Sequence, residues 1–151
     1  MMADPTTRAG LPTPAPYVSP ETRPFWSAAK AGRLVLPFCT GCGVAIWYPK
    51  AFCSACGSMH VDWREASGLA TVYSHSHVHR GEGAYREAGS FVLALVDLDE
   101  GPRVLTNIVD IDPADVAIGQ RVQVVFHDAG DEASLPRFAP MAPARAAAVH
   151  D

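Results

Sequence analysis

The sequence predicts a mainly β protein in which an N-terminal helix and a small four-cysteine zinc ribbon precede a five-stranded barrel of the oligonucleotide/oligosaccharide-binding (OB) type. All four cysteines lie in two Cys-x-x-Cys pairs within one short stretch. The rest of the chain alternates apolar runs with turns rich in glycine, proline and aspartate, which is typical of an all-β domain. No strand–helix alternation indicates a parallel sheet, and a long first strand suits a small closed barrel.

Composition limits the class of protein. The chain has 151 residues, 48% of them apolar, with a formal net charge of −4 and a pI of about 5.8. This length allows one ordinary domain or two small ones, and the charge lacks the basic excess of a general nucleic-acid binder. The first residues show no secretory signal, and no apolar run has the length of a membrane span. We therefore expect a cytoplasmic protein whose thiols stay reduced.

Four segments are predicted along the chain. Residues 1–19 contain several prolines and few large apolar groups, so we expect a disordered arm. Residues 20–66 hold the helix and the zinc ribbon, and residues 67–140 hold the OB barrel. Residues 141–151 are rich in alanine and proline, and we expect a mobile tail.

Local signals place the individual elements. Ser19 or Thr22 can cap the predicted helix, Gly32 can end it, and Phe25 and Trp26 lie on its apolar face. Three short ribbon strands are predicted, at residues 33–38, 44–48 and 60–64. Five barrel strands are predicted between turn signals, at residues 69–79, 90–98, 103–109, 121–127 and 135–140, and the fourth alternates Val122, Val124 and Phe126 on one face.

The predicted metal ligands are Cys39, Cys42, Cys53 and Cys56. Four thiolates at this spacing suit a tetrahedral ion, most often zinc, although iron could use the same geometry and a ribbon can lose its metal. A redox dithiol would need only one pair, beside a βαβ unit. Because sulfur fills all four positions, the metal is expected to be structural. The glycine after each pair should allow a tight turn that points N–H groups at sulfur.

Three histidines alternate along the first barrel strand. His75, His77 and His79 share one expected face with Tyr73. Three imidazoles can form a catalytic zinc site. On a straight strand these positions span about 13 Å, because each residue advances about 3.3 Å, and this is too far for one ion. We therefore expect a solvent-facing barrel surface on which the histidines do not converge.

Four arginines are expected around the barrel, at Arg80, Arg86, Arg103 and Arg121. Guanidinium groups match phosphate oxygens, and Tyr85, between the first two, could stack on a nucleotide base. For any single arginine an ordinary solvated surface is the better interpretation. The sequence contains no nucleophile elbow, phosphate loop or dinucleotide fingerprint.

Several motifs together resemble one known family. In the first half they are Pro24-Phe25-Trp26, Gly32-Arg33-Leu34, the two Cys-x-x-Cys-Gly knuckles and Tyr48-Pro49-Lys50. In the second half they are Ser67-Gly68, Ala70-Thr71-Val72-Tyr73-Ser74, His79-Arg80, Val96-Asp97-Leu98-Asp99-Glu100-Gly101-Pro102-Arg103, Leu105-Thr106-Asn107-Ile108-Val109, Ile118-Gly119 and Val122-Gln123-Val124-Val125-Phe126. Over residues 22–140 the chain resembles the acyl-CoA-associated family that joins a rubredoxin-like zinc ribbon to an OB barrel, catalogued as domain of unknown function thirty-five.

The resemblance implies an accessory subunit that binds acyl-CoA and lacks independent turnover. Its expected partners are thiolase-like proteins, aldolases and hot-dog hydratases, which process CoA thioesters in lipid and sterol metabolism. In such proteins the ribbon and helix dock on the partner, and the barrel helps to order the CoA end. Because CoA carries phosphates, Arg80, Arg86 and Lys50 are the candidate contacts, and no catalytic residue is assigned. His75 and His77 depart from the family pattern, which has apolar or hydroxyl residues there.

Two other functions stay open on the residues alone. A zinc ribbon followed by an OB barrel could bind single-stranded nucleic acid, although the acidic balance and few lysines argue against that partner. A free-standing metalloenzyme would use His75, His77 and His79. No membrane partner is expected.

Overall fold

The structure, a computed structural model, describes residues 10–141. Helix α1 spans Arg23–Lys30. The strands are, in chain order, β1 (Val35–Cys39), β2 (Val61–Glu65), β3 (Leu69–Val78), β4 (Phe91–Leu98), β5 (Arg103–Ile108), β6 (Arg121–Asp128) and β7 (Ser134–Pro140). Short 3-10 helices span Gly83–Ala88 and Pro113–Asp115. Strands β1 and β2 form an antiparallel ribbon, and the other five close a barrel in the order β3-β4-β5-β7-β6, which confirms the predicted fold class.

Helix α1 begins and ends near the residues that the sequence indicates. The hydroxyl of Thr22, the residue before the helix, accepts from the Ser19 N–H at 3.1 Å and does not cap the helix. Gly32 has a φ of +79° and ends the helix, where its N–H donates to the Ala29 carbonyl at 3.0 Å. Phe25 and Ala29 have no exposed surface, so the apolar face is buried. Across residues 10–141, no helix has the length and apolarity needed to cross a membrane.

One predicted ribbon strand, at residues 44–48, is not formed. A single bridge links Ala45 to Phe38 of β1. The Ile46 N–H donates to the Pro37 carbonyl at 2.8 Å, but proline has no N–H with which to return the bond. The ladder therefore stops after one bridge, and the prediction of a strand here is wrong.

One hydrophobic core runs through the helix, the ribbon and the barrel. It joins Phe25 of α1 and Leu36 of β1 to Val72, Val96 and Phe138 of the barrel, all at most 1% exposed. The helix, β1 and the barrel therefore pack as one unit across the predicted boundary between ribbon and barrel. The rest of the ribbon has only a small buried cluster around two of its cysteines, so apolar burial stabilises it little.

Strand β3 is divided by a bulge. Its first part pairs with both β4 and β6, whereas residues 74–78 pair with β4. The register shifts between Val72 and Ser74, so Tyr73 is the extra residue. Because side chains alternate along a strand, this one residue reverses the face of every later position.

Part of the expected disordered arm is held against the barrel. Residues 10–19 form no helix or strand, but Arg137 of β7 donates hydrogen bonds to the carbonyls of Leu11 and Pro12. This part of the predicted arm therefore contacts the barrel. Residues 1–9, and nearly all of the expected mobile tail, lie outside the described residues.

Candidate metal centre and ligand-binding surface

The four predicted metal ligands converge in the ribbon. Cys39 ends β1, Cys42 follows in the first turn, and Cys53 and Cys56 lie in the second turn. Their Sγ atoms all lie within 4.8 Å of one another, with 3.5 Å between Cys39 and Cys56 and 3.6 Å between Cys42 and Cys53. A tetrahedral zinc ion with Zn–S bonds of about 2.3 Å separates its sulfur atoms by about 3.8 Å. The arrangement therefore supports a structural zinc ion.

Each cysteine turn is closed by the glycine that follows it. Gly43 and Gly57 have φ angles of +76° and +78°, a conformation that favours glycine. Each donates its N–H at 2.8 Å to the carbonyl of the first cysteine of its pair. The turn also brings the Cys42 N–H to 3.4 Å from Cys39 Sγ, as the sequence predicts.

The clustered thiols do not ionise independently. A hydrogen bond from the Cys42 N–H is the main cause that lowers the pKa of Cys39 to about 6. The Val44 N–H lowers the pKa of Cys42, but contact with the Cys53 sulfur and burial outweigh it and raise that pKa to about 12. Four thiolates this close repel one another unless a cation joins them. A bound metal would have four sulfur ligands and no open position for a substrate.

The structure does not bring His75, His77 and His79 together as metal ligands. Within residues 10–141, the four cysteines are the only group of three or more His, Cys, Asp or Glu side chains placed to hold an ion. The bulge at Tyr73 turns His75 and His77 to the inner face of β3, opposite two buried residues of β4, so the expected solvent-facing surface is wrong for them. His75 Nδ1 and His77 Nε2 are buried without a hydrogen-bond partner among the described residues. The His77 and His79 rings lie 4.1 Å apart between centroids.

Two of the four predicted arginines are committed to aspartates. Arg103 donates to the Asp97 carboxylate at 2.7 and 3.2 Å, and its guanidinium lies 3.2 Å from the centre of the Tyr73 ring. Arg121 donates to Asp99 at 2.7 and 2.8 Å. These hydrogen bonds lower the pKa of both aspartates. Arg103 therefore links β5 to β4, and Arg121 links β6 to the turn after β4.

The three candidate CoA contacts are surface cations. Arg80 and Arg86 are exposed after β3, on either side of Tyr85. Lys50 is half-buried in the ribbon, with its Nζ 6.0 Å from the centre of the Phe52 ring. None of the three forms an ion pair with a described residue. Their charges are available to a ligand or a partner.

Sequence reasoning missed a buried arginine beside a cavity. Arg137 on β7 is 2% exposed, and burial lowers its pKa. It lines a cavity of about 270 Å³ between α1, the ribbon and the barrel, together with Trp26, Tyr48, Tyr85 and Asn107. The signal available in the sequence was the place of Arg137 among apolar neighbours in a predicted strand.

Two family models match the two halves of the chain. The model described as the ChsH2 rubredoxin-like zinc ribbon domain matches residues 26–59. The model described as the ChsH2 C-terminal OB-fold domain matches residues 63–127. These ranges coincide with the cysteine ribbon and with most of the barrel.

Individual proteins show the same likeness. The chain is 36% identical over 130 residues to a Thermomonospora curvata protein named "Probable enoyl-CoA hydratase alpha subunit", covering 86% of this chain and 40% of that protein. It is 30% identical over 95 residues to a "DUF35 domain-containing scaffold protein" of Methanothermobacter thermautotrophicus, covering 62% of this chain and 71% of the relative. A chain in the solved structure of the Ltp2-ChsH2(DUF35) aldolase is 36% identical, with a TM-score of 0.73, and the match covers 83% of this chain and 98% of that chain.

The extent of these matches differs. The chain spans 40% of the length of the hydratase alpha subunit but 98% of the matched chain of the aldolase. The likeness includes both the ribbon and the barrel, in the same order along the chain. The chain therefore belongs to the DUF35 family, in which a ChsH2-type rubredoxin-like zinc ribbon precedes an OB-fold domain.

Proposed function

We propose that the chain is an accessory subunit of an acyl-CoA-processing enzyme and supplies no catalytic group of its own. The observation that carries the proposal is the likeness to a chain of the Ltp2-ChsH2(DUF35) aldolase over 98% of that chain. The relative named as an enoyl-CoA hydratase alpha subunit supports the same class of assembly and the same class of substrate. The sulfur-filled metal centre fits a structural role, because it leaves no position for a reacting group.

The ribbon has a surface suited to a protein partner. Val44, Tyr48, Phe52 and Met59 each expose between 41% and 70% of their area. Several exposed large apolar side chains on one small segment are typical of an interface. Zinc would fix their positions, because the ribbon buries little core of its own. We infer a partner that is a thiolase-like protein, an aldolase or a hot-dog hydratase.

The surface cations would order the CoA end of the substrate. Arg80 and Arg86 form no ion pair within residues 10–141, and their guanidinium groups match phosphate oxygens, while Lys50 adds a point charge. The partner supplies the reacting groups, and this subunit positions and covers the thioester, which can account for a large part of the rate. The assembly would work in the cytoplasm, in lipid or related acyl-CoA metabolism.

Two linked experiments test the proposal. A tagged full chain is purified from its native cells, and the copurifying protein is identified by mass spectrometry. We expect an acyl-CoA-processing enzyme whose kcat/KM falls when the chain is left out.

The triple change Lys50→Gln, Arg80→Gln and Arg86→Gln should raise the KM for acyl-CoA about tenfold, as expected for lost charge-assisted contacts. The control change Arg33→Gln should leave the KM for acyl-CoA unchanged. A chain that binds no such enzyme, or an enzyme indifferent to it, would overturn the proposal.

A further inference from the structure

The cavity beside Arg137 carries one formal charge on its described wall. The other lining side chains are aromatic, aliphatic, amide or hydroxyl groups, and no carboxylate is among them. Because Arg137 is 2% exposed, its charge is screened little by bulk water. The cavity is therefore a small, largely apolar space, and Arg137 is the charged residue among its described lining residues.

Neutral groups hold the Arg137 guanidinium. Nη1 lies 2.9 Å from His127 Nδ1 and 3.5 Å from the Leu11 carbonyl oxygen, and Nη2 donates to the Pro12 carbonyl. Burial, and then the charge of Arg137, lowers the pKa of His127, which therefore faces the guanidinium as a neutral acceptor. Within residues 10–141 no carboxylate pairs with Arg137. A buried cation without a counter-ion is costly, so an anion beside it would be strongly stabilised.

The rest of the wall fits a flat apolar group. The Trp26 indole N–H donates to the Tyr48 hydroxyl at 3.1 Å, which fixes both rings. Asn107 donates its amide N–H to the Val92 carbonyl at 2.9 Å, so this polar side chain is also held in place. The cavity, at about 270 Å³, is slightly smaller than pockets for drug-sized ligands, which measure about 300–1,000 Å³. Its occupant would be small.

We propose that this cavity binds a small organic anion, with Arg137 at the carboxylate or phosphate group and Trp26, Tyr48 and Tyr85 along the apolar part. The inference goes beyond the proposed function, because the three surface cations assigned to CoA lie outside the cavity lining. Two sources share the required chemistry. One is a free aromatic or short-chain carboxylate, and the other is the phosphate-bearing end of a nucleotide such as CoA.

Benzoate and benzamide test the need for charge, because the two have nearly the same shape and only benzoate is an anion. Each is titrated by calorimetry into the purified, zinc-loaded full chain, and the Nε–Hε signal of Arg137 is followed by NMR. We expect benzoate to bind at least tenfold tighter than benzamide, and only benzoate to shift the Arg137 signal. Equal affinities, or an Arg137 signal that does not move, would overturn the proposal.

Variants separate binding from a purely structural role of Arg137. Arg137→Gln should remove the preference for benzoate, and Arg137→Lys should keep part of it. The exposed Arg33→Gln is the matched control and should leave the preference intact. A preference that survives in Arg137→Gln would overturn the proposal, and if this variant does not fold, the wild-type NMR titration decides. If CoA displaces benzoate, the natural ligand is the phosphate-bearing end of a nucleotide. If CoA does not displace benzoate, the natural ligand is a free carboxylate. These titrations contain no partner enzyme, so their outcome is independent of whether the proposed function is correct.

Discussion

The indole N–H of Trp26 and the hydroxyl of Tyr48 share a hydrogen bond of 3.1 Å that joins the helix to the ribbon. Phe25 packs edge-on against both rings, with centroid distances of 4.9 Å to Trp26 and 6.3 Å to Tyr48. The same rings form part of the wall of the cavity beside Arg137. A few side chains therefore fix the helix, the ribbon and the cavity relative to one another.

Tyr48→Phe isolates the hydroxyl of this contact. We expect the free energy of unfolding to fall by about 1 kcal/mol, because the part-buried indole N–H loses its acceptor. Urea unfolding followed by tryptophan fluorescence measures the change. Tyr17→Phe is the control, since Tyr17 is 86% exposed, and it should be neutral. Equal losses in the two variants would show that the hydrogen bond is not the cause.

Zinc removal should unfold the ribbon before the barrel. Apart from β1, the ribbon buries only a small cluster around Cys39 and Cys53, so metal binding must supply most of the stability of this part, on the order of 10–16 kcal/mol for structural zinc. We expect about one zinc per chain by elemental analysis, lost in Cys42→Ser and retained in His77→Ala. Hydrogen exchange after chelation should accelerate first in the two cysteine turns, because β1 packs in the core that it shares with the barrel. A second zinc equivalent that disappears in His77→Ala would contradict the structural assignment.

Acid should destabilise the fold through Asp97 and Asp99. Hydrogen bonds from Arg103 and Arg121 hold the pKa of both carboxyl groups below the ordinary value in the folded state. Groups of this kind stabilise the fold above their unfolded pKa, about 3.9, and the contribution is lost as the pH falls through the folded pKa. The unfolding free energy should therefore stay level above about pH 5 and fall below about pH 4.

Urea unfolding between pH 7 and pH 2.5 measures this dependence. Asp99→Asn should flatten the decline, because one of the two paired carboxylates is gone. Asp131→Asn changes an exposed aspartate that forms no ion pair with the described residues, and it should leave the slope unchanged. A decline that is identical in both variants would exclude the Asp99–Arg121 pair as its source.

Gly68→Ala should destabilise the junction between ribbon and barrel. Gly68 has a φ of +76°, and an added Cβ would lie 2.6 Å from Val124 Cγ1. Backbone strain and overpacking together should cost about 2–4 kcal/mol in urea unfolding. Gly101→Ala is the comparison, because Gly101 also has a positive φ but nothing lies within 4 Å of the added Cβ. It should lose only about 1 kcal/mol. Similar losses of unfolding free energy in the two variants would show that contact with Val124 is not the cause.

Elements with a strong local signal could be predicted from the sequence. Strand β4 could be predicted because residues 91–96 form a continuous apolar run bounded by turn residues, whereas the alternation of buried Val92, Ala94 and Val96 with more exposed neighbours appears only in the structure. The cysteine ribbon was equally visible, because ligand type and spacing alone indicate the metal. Gly32 marked the end of α1 for a local reason as well, since its left-handed conformation favours glycine.

Features that depend on tertiary contacts could not be predicted. The residues around Tyr73 read as one continuous strand, so nothing local indicated the bulge, and the face of His75 and His77 was assigned wrongly. The strand expected at residues 44–48 failed because of Pro37, a residue of a different strand. The burial of Arg137 was not predicted, because its neutral partners Leu11 and Pro12 lie far away along the chain.

Beyond Tyr73, strand β3 leaves β6 and continues beside β4, so one edge of residues 74–78 offers backbone N–H and C=O groups that no strand within residues 10–141 takes up. An open edge of this kind can accept an additional strand from another chain. The exposed Ser76 makes it polar, which disfavours indiscriminate aggregation and leaves the backbone hydrogen-bonding groups in place. A single inserted residue thus decides where the barrel closes and where the sheet can still be extended.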